Sequence, residues 1–356
     1  MCIRDRGYTL GVNGFTIPPL WWRYNYDPEV ERLKNWVYPV VRAVATFYAE
    51  FIEQCEGEET IRLGPSVSPE HWGWTKNLDR NYNCAFDIAL IRYTLEAAIE
   101  AAQTLKKDES LVGRFQTALQ RLPDYPLDNE EKPIVVDVEG APRIRYNIPV
   151  PSTPVFPGDV VTWWSPDEEK QLFKRTIEAL EWNGNNATFM LAIARARLSM
   201  HGSQEWLNRE IEARTRPKQT LSLNTLVPPQ RFNDFGHYTE QCGVGMAITE
   251  LLLQSVHDII RVFPALTPGS RSCFEDLRTQ GGFLVTAERK ADKVEMIQIK
   301  SLYGGELQLL SPWQNIEAYA NKDQDFQPLY PDQRGVVSVQ TKAGEKWVFR
   351  GSHPQK

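Results

Sequence analysis

Near Gly281 the spacing of apolar residues switches from the helical period to a period of two, so helices come first in this chain and strands last. Upstream, Val37, Val40, Val41, Val44, Phe47, Tyr48, Phe51 and Ile52 recur at helical spacing after Asp27-Pro28, which reads as an N-cap and first helical residue. Ile88, Ile91, Leu95, Ala98, Ile99, Ala102 and Leu105 mark a second helix over about Asn83 to Lys106. A third carries Leu111, Val112, Phe115, Ala118 and Leu119 and ends before Pro123 and Pro126. Ser165-Pro166-Asp167-Glu168 predicts another start, with a serine cap and proline at the first position. Further helices are expected over 186–200, 204–213 and 240–256. Downstream, Phe283, Val285 and Ala287 alternate with polar residues. Val294, Ile297 and Ile299, then Leu307 and Leu309, Val336 to Gln340 and Trp347 to Phe349 complete an antiparallel meander. The expected fold class is mainly α then β: helical hairpins in the manner of an α/α toroid over 1–268, then a small antiparallel β-domain over 269–356.

A net charge of −6 argues against nucleic acid or an anionic membrane as the main partner. The five cysteines, Cys2, Cys55, Cys84, Cys242 and Cys273, have neither disulfide-framework nor metal-ligand spacing, so no metal or organic cofactor is expected. No apolar run reaches the length of a membrane span. The opening Met-Cys-Ile-Arg-Asp-Arg is not a signal peptide, and residues from about Gly7 begin in mid-fold, as in an N-terminally truncated fragment.

The stretch Gly64 to Trp74 carries the candidate chemistry. Pro65 and Pro69 stiffen it, while Gly64 and Gly73 are expected to loosen its ends. Glu70 follows a proline and has His71, Trp72 and Trp74 beside it. Aromatic bulk desolvates a carboxyl group, which raises its pKa and suits a general acid. Tryptophan faces also suit the C–H faces of sugar rings. The plainer reading is a stiff turn packed by its own aromatics. Residues 127–164, with six prolines between Pro133 and Pro157, read as a rigid insertion forming a binding rim, and Trp163-Trp164 either line that rim or pin the next helix.

These residues resemble glycoside hydrolase family 95. Pro65-Ser66-Val67-Ser68-Pro69-Glu70-His71 is similar to its "PSxSPE(N/H)" loop. Thr249 to Ser255 followed by Ile260 to Ala265 is similar to its "EMLLQS … IRLLPALP" segment, and Leu277 to Phe283 to its "LRARGGF". Trp22-Arg23-Tyr24 through Phe47-Tyr48 resembles its "WxxYxYTGD" helix. The resemblance implies an (α/α)6 barrel, incomplete here at its N-terminus, and inverting hydrolysis of α-linked sugars such as α-L-fucosides, with Glu70 as general acid. It also implies an oligosaccharide or polysaccharide partner and a periplasmic or secreted setting. Two departures stand out. The family's Asn-x-Asn motif has no counterpart, and its "QIDGNFG" aspartate aligns with Thr239, one residue before Glu240.

Glu70 as acid and Glu240 as base are the candidate catalytic pair, spaced in an inverting enzyme about 6.5–9.5 Å apart. Glu240 equally fits a first-turn carboxylate at a helix N-terminus. His71, Trp72, Trp74, His237, Trp22 and Trp164 are the candidate substrate contacts. Asp79 and Asp87 flank the second helix start and read as caps or ligands. A polysaccharide lyase, with Asn233, His237 and Tyr238 in the proton-abstraction roles, stays open, as does a non-catalytic glycan-binding fragment.

Overall fold

The computed structural model describes residues 9–57, 59–69, 71, 77, 79–182, 185–214, 238–321 and 325–352. Helices α1 (Val12–Phe15) and α2 (Ile17–Asn25) lead into α3 (Val30–Arg32), a π-helical turn Leu33–Val37 and α4 (Tyr38–Glu53). The expected cap at Asp27 is not made. Glu29 precedes α3 without a side-chain cap. The Asp27 carboxylate instead takes Arg23 at 2.7 Å, Arg32 at 2.6 Å, Arg278 at 3.0 Å and the Tyr303 hydroxyl. Charged donors outcompete backbone amides for a carboxylate, and two of its four partners, Arg278 and Tyr303, come from the β part of the chain.

Helix α5 (Ala85–Leu105) buries residues on every face, including Phe86, Ile88, Leu90, Ile91 and Leu95. A helix apolar all round belongs inside a core. Its neighbour α6 (Glu109–Arg121) buries only Phe115 and Ala118. Beyond α6 come β1 (Arg145–Tyr146), α7 (Asp167–Ala179) and β2 (Glu181–Trp182), with β1 and β2 paired in parallel. The serine cap expected for α7 is absent. Pro166 precedes the helix, and the Ser165 hydroxyl accepts the Thr162 amide at 3.1 Å. Asp167, Glu168 and Glu169 fill the first turn, where they complement the helix dipole.

Next come α8 (Asn185–Arg197), α9 (Ser203–Arg214) and α10 (Tyr238–Leu252). A side chain at Gly243, early in α10, would meet the Phe189 ring of early α8 at 2.4 Å. Arg197 at the end of α8 pairs with Glu250 near the end of α10. The two helices therefore run side by side in the same direction. Helix α8 is buried almost throughout, from Ala187 to Ala196. No helix among the described residues is long and apolar enough to cross a membrane.

Helix α10 stops at Leu252, short of the Val256 expected. Leu253–Val256 is instead strand β3, paired antiparallel with β4 (Ile259–Val262). The strands that follow are β5 (Ser272–Thr279), β6 (Phe283–Lys290), β7 (Lys293–Ser301), β8 (Gly304–Leu310), β9 (Ile316–Ala320), β10 (Gln327–Leu329), β11 (Val336–Lys342) and β12 (Lys346–Gly351). They form two sheets rather than one meander, ordered β10-β9-β12-β7-β6-β5 and β11-β8-β4-β3. Pairing is antiparallel except between β4 and β8. The alternating Phe283, Val285 and Ala287, with Ile297, Ile299 and Phe349, share one core with Ile260, Leu307, Leu309 and Val337 of the other sheet. Gly304, at φ +82°, lets the chain leave β7 for the second sheet.

Candidate functional site

The loop that opens at Gly64 joins α4 to α5, and its backbone is closed at the base. Ser66 N donates to Asn81 O at 2.7 Å, and the Asn81 amide returns a bond to Ser66 O at 2.9 Å. Asn83 N donates to Leu63 O at 2.8 Å, while Asn83 Oδ1 accepts from Leu63 N at the same distance. Gly64 does not loosen this end. Its φ is +147°, and a Cβ there would stand 2.6 Å from Asn81 O, so only glycine fits the close approach.

From Ser66 the strand-like period places alternate side chains inward: Ser66 and Ser68 are buried, Val67 and Pro69 half-buried. Each serine meets its own buried carboxyl group. Ser66 Oγ accepts the Leu10 amide at 2.9 Å and gives its hydrogen to Asp87, whose Oδ1 also takes the Gly11 amide at 2.7 Å. Asp87 is thus neither cap nor exposed ligand. It lies inside the first turn of α5 and pins the chain around α1. Ser68 Oγ stands 2.7 Å from both oxygens of Asp137, a residue of the proline-rich insertion. The Cys84 thiol reaches Asp137 Oδ1 at 3.8 Å. Burial pushes Asp87 and Asp137 up to about 7 each; hydrogen bonds from Ser66 and Ser68 respectively pull the other way.

His71 belongs to the same cluster. Its Nε2 accepts the Asn147 amide at 2.9 Å, its Nδ1 lies 3.7 Å from Asp137 Oδ2, and its ring meets Tyr146 edge-on at 4.9 Å. Strand β1 carries Tyr146, so the β1–β2 pair backs this side of the loop. A backbone donor at Nε2 requires the neutral ring with its hydrogen on Nδ1. Glu70, Trp72, Trp74 and His237 lie outside the described residues. Glu240 falls in the first turn of α10, and its side chain also lies outside them. The Glu70-bearing loop precedes the N-terminus of α5, and Glu240 sits at the N-terminus of α10.

Trp22 and Trp164 are placed elsewhere, near the ends of α8 and α10. Trp22 stacks on Phe156 at 6.0 Å and lines a cavity of about 180 Å³ with Tyr26, Arg197, Met246, Ser255 and Gln280. Trp164 meets His257 edge-on at 5.5 Å, in the turn between β3 and β4. Behind them Arg197 forks onto Glu250, with two bonds of 2.8 Å, and also contacts Asp159. An adjoining cleft of about 40 Å³ gathers Glu96, Glu100, Asp159, His257 and Asp258. Desolvation lifts Glu96 and Asp258, and takes Glu100 to about 7. Among the described residues no group of three or more His, Cys, Asp or Glu is placed to hold a metal ion.

Reading the sequence alone does not single out Asp137, Tyr146 and Asn147, which hold the loop. The alternation of Ser66 and Ser68 was the available signal: two inward hydroxyl groups call for two buried acceptors.

Among solved structures, the chain is similar to the Streptomyces avermitilis α-L-rhamnosidase complexed with L-rhamnose, at 12% identity and a TM-score of 0.46 over 94% of this chain and 32% of that one. It is also similar to the α-L-rhamnosidase from Dictyoglumus thermophilum, at 11% identity and a TM-score of 0.43 over 95% of this chain and 39% of that one. The chain therefore spans about a third of the length of these structures. No curated protein matches it in sequence. Over residues 6–132, from α1 through the Glu70 loop to α6, the chain matches the model of the glycosyl hydrolase family 95 catalytic domain, the family its loop and helix motifs resemble.

Proposed function

We propose that this chain is part of an inverting glycosidase acting on an α-linked sugar of an oligosaccharide or polysaccharide, fucoside-like in its specificity. Glu70 protonates the leaving oxygen, and Glu240 activates the attacking water. One observation carries the reading: the span 6–132 that matches the family 95 catalytic domain contains the Glu70 loop, and that loop is anchored on both sides of Glu70 by Ser68 and His71. The helical order supports a partial (α/α)6 toroid. Buried α5 and α8 are separated in sequence by the more exposed α6 and α7, and α8 and α10 share a direction. In such a toroid the N-termini of the inner helices open on one face, and the proposal assigns Glu70 and Glu240 to that face. The units proposed are 1–268 and 269–356, with the β3–β4 hairpin reaching across into the second.

Glu70→Gln keeps size and hydrogen bonding but cannot give up a proton. The expected outcome is a loss of turnover on an unactivated glycoside of at least about 100-fold, with glycan binding by calorimetry nearly unchanged. Turnover equal to that of the parent chain would reject Glu70 as the acid. A product with new ultraviolet absorbance would mark elimination, and so a lyase.

A further inference from the structure

Asp137 lies 69 residues beyond Ser68 in sequence and is 0% exposed, yet it bonds Ser68 and stands 3.7 Å from His71, the two residues that bracket Pro69-Glu70. Ser68 Oγ stands 2.7 Å from each Asp137 oxygen. One hydroxyl hydrogen satisfies one of these contacts, and the other is satisfied when the carboxyl group carries a hydrogen and donates it to Ser68 Oγ. On the far side, the neutral His71 ring turns its Nδ1 hydrogen toward Asp137 Oδ2 at 3.7 Å, because Nε2 is occupied by the Asn147 amide. Among the described residues the Cys84 thiol, Asp87 and Tyr146 also face Asp137.

Resting on the glycosidase reading, we propose that Asp137 is the positioning residue of the general acid: its buried carboxyl group bonds Ser68, packs against His71, and so fixes the segment on either side of Glu70. Asp137 is sealed from solvent and acts only through the loop. The grip calls for a neutral planar group, which an asparagine reproduces and an alanine does not.

The test compares Asp137→Asn and Asp137→Ala in the full chain. Hydrogen exchange of peptides covering residues 64–74 is expected to quicken at least about tenfold in the alanine variant and to stay near the parent in the asparagine variant. The kinetic arm uses two α-L-fucosides, one with a 2,4-dinitrophenyl and one with an alkyl leaving group. An alkyl oxygen needs the general acid and a dinitrophenyl oxygen scarcely does. Asp137→Ala is therefore expected to lose on the order of 100-fold in kcat on the alkyl glycoside, under about 10-fold on the aryl one, with KM nearly unchanged. Should the alanine variant fail to fold, Ser68→Ala carries the same comparison, with the same split between substrates. Equal losses on both glycosides, or unchanged exchange in residues 64–74, overturns the role of Asp137 alone. A parent chain inert on both overturns the glycosidase reading and the catalytic assignment with it.

Discussion

Two buried aspartates, Asp87 and Asp137, hold the inner face of the Glu70 loop, and between about pH 4 and 7 both retain protons that the unfolded chain has released. Their carboxyl groups are pushed up to about 7 from an ordinary 3.8, chiefly by burial. A carboxyl group raised on folding binds protons more tightly in the native state, so its contribution to stability is full at low pH. That contribution falls as pH rises from about 4 to about 7, then stays level. Asp137→Asn removes one of these titrations. The drop in urea midpoint between pH 5 and pH 8 should be smaller in Asp137→Asn than in the parent, and an unchanged drop would contradict the burial argument. At this scale the sequence was partly legible. Pro65 and Pro69 mark the turn, but Gly64, expected to loosen its end, makes a close approach instead, and the inward alternation of Ser66 and Ser68 shows only in the fold. Asp137 was not legible, because its partner is set by how the proline-rich insertion folds back, which no local pattern records.

Among the elements, α8, α10 and the segment after the proline-rich insertion meet at one buried cation. Arg197 is 7% exposed and carries Glu250 and Asp159, which are 5% exposed each. Removing one member of such a group strands the others in a medium that cannot solvate them. Arg197→Met is expected to cost about 3–5 kcal/mol in denaturant unfolding, far more than the loss of a surface pair. A cost under about 1 kcal/mol would mean that water reaches the two carboxylates. Helix interiors were legible from their periodicity, and helix ends were not. Leu251 to Val256 is apolar enough to continue α10, but pairing with Ile259–Val262 gives those residues a better partner as a strand. Asp27 and Ser165 have the residue types of caps, and each finds a stronger or nearer partner instead.

Across the whole molecule, a helical part and a two-sheet part are joined by a few specific contacts. Asp27 is the clearest. Arg23 and Arg32 hold it from the helical side, and Arg278 and Tyr303 from the sheets, with the Tyr303 hydroxyl the leading cause of a carboxyl group held well below the usual range. Its stabilising contribution is present above about pH 4 and is lost as the pH falls through its depressed value. Asp27→Ala should lower the melting temperature at neutral pH by more than Tyr303→Phe does, and combining the two should add little to Asp27→Ala alone. The helix-then-sheet order was legible from the change of period at Gly281. The division into two sheets was not, because strand pairing partners are chosen by long-range packing that alternation leaves open. The central claim, inverting hydrolysis with Glu70 as acid, is tested most directly by proton NMR of the sugar first released from an aryl α-L-fucoside. The β-anomer appearing before mutarotation is the predicted result. The α-anomer appearing first would contradict it.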